Sequence, residues 1–215
     1  MRRLTTDNLR LLAFHEAGHA VAAWALIREA PEVALVAYDP GMTAGRMQVA
    51  HFILDAAPRH NTHADMPDHI HEAAPTDGEP TQFRRDDFEE DERRIIILMA
   101  GVEAEAILTH DEDWWESEED RKRAEDIITA LLANGWLPAP QDEHERGLLL
   151  AHEDMARRCW AVCQYRTRNL MRQPPLQSAV IALADALLAE ERIDSARTAR
   201  IIRTGIAEAD PDLLG

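Results

Sequence analysis

Cysteine is close to absent: the chain holds only Cys159 and Cys163, four residues apart on a segment with helical patterning. That spacing suits two small buried hydrophobes better than a disulfide or a thiolate metal site, and nothing here argues for an oxidising compartment. Long apolar runs are missing too. The longest, Ala17 to Ile27, carries His19 and falls short of the ~20 residues needed to span a bilayer. After Arg2 and Arg3 the chain continues Leu4-Thr5-Thr6-Asp7, which is no secretory signal. Positive charge is scarce, with 23 Lys and Arg against 40 Asp and Glu, a formal net charge of -17. Nucleic acid and anionic membranes are therefore poor partners, and plain solubility accounts for the acidity. The expectation is a soluble, cytoplasmic protein. Its 215 residues are enough for one domain, expected to cover residues 1–215.

What is present centres on Phe14-His15-Glu16-Ala17-Gly18-His19-Ala20-Val21, a His-Glu-x-x-His motif in an apolar run. Residues four apart share a helix face, so His15 and His19 can offer two imidazole nitrogens to one metal ion. Glu16 lies about 100° around the same helix, where a carboxylate can act as a base without binding the metal. Two neutral nitrogen ligands, one base and one open position are what zinc hydrolysis needs. The bland alternative is two ordinary polar histidines on a helix. Leu9 to Ile27 is apolar on nearly all sides, so the helix should be buried, and buried imidazoles and carboxylates need partners.

Along the chain, Thr6 or Asp7 can cap this first helix, and Pro31 stops it beyond Glu29. Val33 to Tyr38 and Arg46 to Leu54 have strand composition and are expected to pair as a hairpin. Residues 55–81 lose all periodicity, with four prolines and His60, His63, His69 and His71. A mobile, solvated loop is expected there rather than a second metal site. Helices are expected over Asp86–Leu108, Ser117–Ala133 with Asn134-Gly135 as stop, Asp142–Arg172, Leu176–Glu190 and Asp194–Ala207. Gly101 inside the first of these implies close packing with another backbone. The fold class is thus mostly α with a small β-sheet near the N-terminus.

Two histidines do not complete a catalytic zinc site, so a third ligand must come from elsewhere. No later histidine completes the longer His-Glu-x-x-His-x-x-Gly-x-x-His signature, and the region from Asp111 to Asp126 is crowded with carboxylates. Spacing alone does not choose among them.

Three stretches resemble the peptidase domain of the FtsH family of ATP-dependent zinc metalloproteases, peptidase family M41. Phe14 to Val21 is similar to that family's zinc helix. Leu98-Met-Ala-Gly-Val-Glu-Ala-Glu-Ala-Ile-Leu108 resembles its Gly-Gly-Arg-x-Ala-Glu-Glu segment, with Val102 where arginine is usual. Ser117-Glu-Glu-Asp-Arg-Lys-Arg-Ala124 resembles its small-x-x-Asp-hydrophobic-x-x-Ala segment, with Arg121 where an aliphatic residue is usual. The resemblance implies an M41-like helical peptidase domain and makes Asp120 the third zinc ligand. Asp120 also shares a helical stripe with Ala124, Ile127, Ile128 and Leu131, which suits an inward-facing acid. Glu116 and Glu119 are the alternatives, and a helix-capping role for Ser117 and Asp120 competes with ligation.

The resemblance further implies a zinc-dependent endopeptidase acting on extended or unfolded polypeptides, with His15, His19 and Asp120 holding Zn2+ and Glu16 as base. The chain contains no Gly-x-x-x-x-Gly-Lys-Ser/Thr phosphate loop. Hydrolysis independent of ATP, a separate ATPase or unfoldase partner and a homo-oligomer are the corresponding expectations. The rival from another class is a non-catalytic zinc-binding adaptor or regulatory protein that keeps the peptidase fold.

Overall fold

The computed structural model describes residues 6–35, 82–109 and 118–210, with the side chains of 6–7 and 82–87 excepted. The expected strand at 46–54, the histidine-rich loop at 55–81, and Glu116 and Ser117 lie outside the described residues. Seven helices and one small sheet make up the rest.

The first helix, α1 (Thr6–Ile27), is the axis of the fold. Ala13, Phe14, Ala17 and Ala20 to Ala23 are all buried, as an apolar circumference requires. Its alanines and Gly18 let neighbours approach closely. A Cβ on Gly18 would stand 2.5 Å from both the Ala100 carbonyl oxygen and Ala104 Cβ, on the second helix, α2 (Gln82–Thr109). Arg28, at φ 60°, ends α1 in a left-handed turn and donates its N–H to the Trp24 carbonyl at 3.1 Å.

The remaining elements are α3 (Glu118–Ala133), α4 (Glu143–Ala151), α5 (Met155–Met171), α6 (Pro174–Glu190) and α7 (Ser195–Ala209). Two cores share α2. In the larger, α1 packs between α2 and α6, with α7 behind α6; in the smaller, α2 meets α3 and α5. The uninterrupted run Ile95 to Met99 is explained by this double duty. Ile97 faces the first core while Ile95, Leu98 and Met99 face the second. Cys159 and Cys163 are buried free thiols in the smaller core, as their spacing implied. Burial pushes the Cys159 thiol up to about 11 and that of Cys163 higher.

The strand at Val33 is β1 (Val33–Ala34), and among the described residues it pairs antiparallel with β2 (Arg192–Ile193), in the register Val33↔Ile193; the expected hairpin with 46–54 lies outside them. The small sheet therefore ties the end of α1 to the α6–α7 junction. The expected long helix from Asp142 to Arg172 is two helices. Asp154 breaks it by turning its carboxylate onto the N–H groups of Ala156 and Arg157 at 2.8 and 3.5 Å, which starts α5 afresh. Pro174 and Pro175 open α6 rather than preceding it, since the first turn of a helix has no use for their missing N–H.

Other punctuation holds. Gly135, at φ 78°, lets Gly135 and Trp136 donate to the Leu132 and Leu131 carbonyls, both at 3.0 Å, and seats Trp136 in the smaller core. Asp194 caps α7 by accepting from Arg197 N–H at 2.8 Å. No described helix is long and apolar enough to cross a membrane.

Candidate metal centre

Three helices converge on one buried point. α1 brings His15, Glu16 and His19, α3 brings Asp120, and α2 packs across them; all four side chains are buried, His19 and Asp120 completely. The Nε2 atoms of His15 and His19 are 3.0 Å apart. Asp120 Oδ2 lies 3.0 Å from His15 Nε2 and 3.5 Å from His19 Nε2. Among the described residues this trio forms a group whose ligand atoms all fall within 4.8 Å of one another.

The other ring nitrogens fix the tautomers. His19 Nδ1 lies 2.6 Å from the Ile97 carbonyl. A carbonyl only accepts, so Nδ1 carries the hydrogen and a neutral His19 presents a lone pair at Nε2. His15 Nδ1 donates to Glu105 Oε1 at 2.5 Å, with the same consequence. Two imidazole lone pairs and a carboxylate oxygen thus meet with no donor among them. A cation satisfies all three. Tetrahedral bonds of about 2.05 Å would place ligand atoms roughly 3.3 Å apart, close to the separations found.

The electrostatics agree. Burial alone would lower the His15 pKa, but its hydrogen bonds to Asp120 and Glu105, aided by the Glu16 charge, push it up to about 10. In the metal-free site a proton stands in for the cation. Burial works to raise Asp120, but its hydrogen bonds to the two histidines hold it well below the usual carboxylate range. Glu16 is raised chiefly by burial, against the lowering effect of His15 and His19. Its Oε2 is buried with no hydrogen-bond partner.

Sequence reasoning placed His15, Glu16, His19 and Asp120 together, and the structure gathers all four. Asp120, Ala124, Ile128 and Leu131 form the buried face of α3. Glu118 and Glu119 are exposed, and Glu119 pairs with Arg123 on its own helix. One residue was missed and another misread. Glu105 is buried and holds His15; its signal was an acid eight residues after Ile97 and four after Gly101, on the face that meets α1. Gly101 was expected to admit a backbone, yet it admits the two imidazoles. A Cβ there would lie 2.5 Å from His19 Nε2 and 2.7 Å from His15 Cε1. Gly18 makes the backbone approach instead.

The fold and the centre together define a helical protein with a buried His-His-Asp site suited to a metal ion. The chain matches no protein-family model, and no curated protein matches it significantly.

Proposed function

We propose that the protein is a zinc-dependent endopeptidase, similar in design to the M41 peptidase domains, that cleaves extended or unfolded polypeptides without ATP. The observation that carries this reading is the meeting of three acceptor atoms, from His15, His19 and Asp120, beside a buried carboxylate with an unpartnered oxygen.

Nitrogen and carboxylate donors in this number fit zinc, with one position left for a non-protein ligand. When bound, zinc supplies Lewis-acid polarisation of the scissile carbonyl and a water acidified to about pKa 7. The chain's own residues do the rest. Glu105 and the Ile97 carbonyl hold the two imidazoles with Nε2 forward. Glu16 takes the proton of the attacking water and returns it to the leaving amine. Its raised pKa, from burial, makes it a stronger base for the first of these transfers. An extended substrate satisfies its backbone by strand pairing, a mode that reads little side-chain identity.

The test is metal content together with cleavage of unfolded casein, with and without a chelator. Glu16→Gln keeps the size of the side chain but cannot accept the proton. It should retain zinc and lose at least ~100-fold in hydrolysis. Undiminished cleavage by this variant would remove Glu16 from the reaction. The burial of His15, Glu16, His19 and Asp120 favours a second reading, a zinc-binding adaptor or regulatory protein without catalysis. That reading predicts bound zinc and no cleavage of casein by the wild-type chain.

A further inference from the structure

Away from the metal centre a cavity of about 730 Å³ opens between α2, α5 and the 136–142 segment. Its volume falls in the range of small-molecule sites. Phe88, Trp136 and Tyr165 supply aromatic wall, and Leu26, Ile96 and Leu170 supply aliphatic wall. Four carboxylates line it, Glu89, Glu92, Asp142 and Glu145, against two guanidiniums, Arg93 and Arg166.

Arg166 is already fully engaged. Its Nε and Nη2 donate to Glu145 at 2.9 and 2.7 Å, Nη2 also reaches the Ala139 carbonyl at 2.6 Å, and Nη1 pairs with Glu92. One guanidinium therefore faces two carboxylates whose side chains are only 19% and 2% exposed, its own being 9% exposed. A net negative charge in so sheltered a place is costly unless a cation joins it. At the rim Arg93 pairs with Glu89 at 3.5 Å. Asp142, which caps α4 and accepts from the Tyr165 hydroxyl, adds a second negative charge. Anions are thus disfavoured, and aromatic walls beside excess negative charge favour a cation with an apolar body.

We propose that this cavity is a binding site for an organic monocation with an apolar body, either the lysine or arginine side chain of a polypeptide or a free amine. The site stands independently of the metal centre. Ile96 lines it, whereas the neighbouring Ile97 turns its carbonyl to His19. The net charge of -17 draws cations to the protein from a distance.

The experiment is calorimetric titration of the whole chelator-treated chain, so that neither zinc nor catalysis enters. The probes are phenethylamine, N-acetyl-phenylalanyl-arginine amide, the neutral 2-phenylethanol and the anion phenylacetate. Both cations should bind at least about tenfold more tightly than the alcohol, and phenylacetate should not bind. The stronger of the two cations identifies the source, free amine or polypeptide. Glu92→Gln removes the excess charge and should weaken cation binding about tenfold. Asn169→Trp, at an exposed position on the lining, should block the cavity without entering either core. It keeps the test decisive if Glu92→Gln fails to fold. The proposal is overturned if the amines bind no better than the alcohol, if nothing binds at millimolar concentration, or if Asn169→Trp binds as the wild type does.

Discussion

At the scale of single residues the centre depends on what each imidazole does with its second nitrogen. Glu105 is the clearest case. It is buried, it orients His15 at 2.5 Å, and its other oxygen has no hydrogen-bond partner. Glu105→Ala should lower zinc affinity ~10–100-fold, and Glu105→Gln, which can still accept from Nδ1, should recover part of it. Competition with a chromogenic chelator measures both. Gly101 is constrained by space rather than charge. With a Cβ 2.5 Å from His19 Nε2, Gly101→Ala displaces a ligand nitrogen, so metal binding should fall while the helix itself gains propensity. Protons compete for the same site. Because the folded, metal-free pKa of His15 is raised from 6.5 to about 10, its stabilising contribution is complete below pH 6.5 and is lost as pH rises towards 10. The lowered pKa of Asp120 acts the other way, contributing above its ordinary value of 3.8 and losing that contribution as pH falls. The melting temperature of the metal-free protein should therefore decline from pH 6.5 to 10. Zinc affinity should climb over the same window with release of a proton, measurable by calorimetry in two buffers of different ionisation heat.

At the scale of elements, Gly18 sets how closely α1 and α2 can cross. A methyl group there would meet the Ala100 carbonyl oxygen at 2.5 Å, and backbone cannot swing aside as a side chain can. Gly18→Ala should destabilise by about 1–3 kcal/mol, as overpacking generally does, and chemical denaturation with and without zinc would measure it. The face that His15 and His19 share and the helical character were legible because each has a short-range signature. His15 and His19 lie one helical turn apart, and Asp120 sits on a stripe with Ala124, Ile128 and Leu131. Elements whose signals depend on distant partners were not legible. The pairing of β1 with β2 joins residues about 160 apart in the chain, and no local pattern announces it. The break at Asp154 was hidden because Leu148 to Leu150 and Met155 continue an apolar helical pattern across it, yet Leu150 and Met155 are exposed. Glu145, a charged residue, is the buried one on α4 because Arg166 meets it there. Periodicity reads apolar faces and is blind to a paired charge turned inward.

At the scale of the whole molecule the centre joins separate elements: His15 and His19 come from α1, Asp120 comes from α3, and the groups that hold the two imidazoles come from α2. A cation bound there joins the larger core to the smaller, so binding and folding are coupled, by ~4 kcal/mol when free zinc is about a thousandfold above Kd. This decides how Asp120 should be tested. Asp120 lies in the first turn of α3, where a carboxylate also favours the helix dipole by ~0.3–1 kcal/mol. Asp120→Ala will lower the melting temperature of the metal-free protein on either account, because it also strips His15 and His19 of a buried partner. The metal-free melt therefore does not discriminate. The increment produced by zinc does. If Asp120 is a ligand, the wild type gains several degrees on adding zinc, and Asp120→Ala gains little, binds zinc weakly and does not cleave casein. If it only caps α3, the variant melts lower but shows the same increment and the same zinc stoichiometry as the wild type. The burial of Asp120 among three converging acceptors predicts the first result.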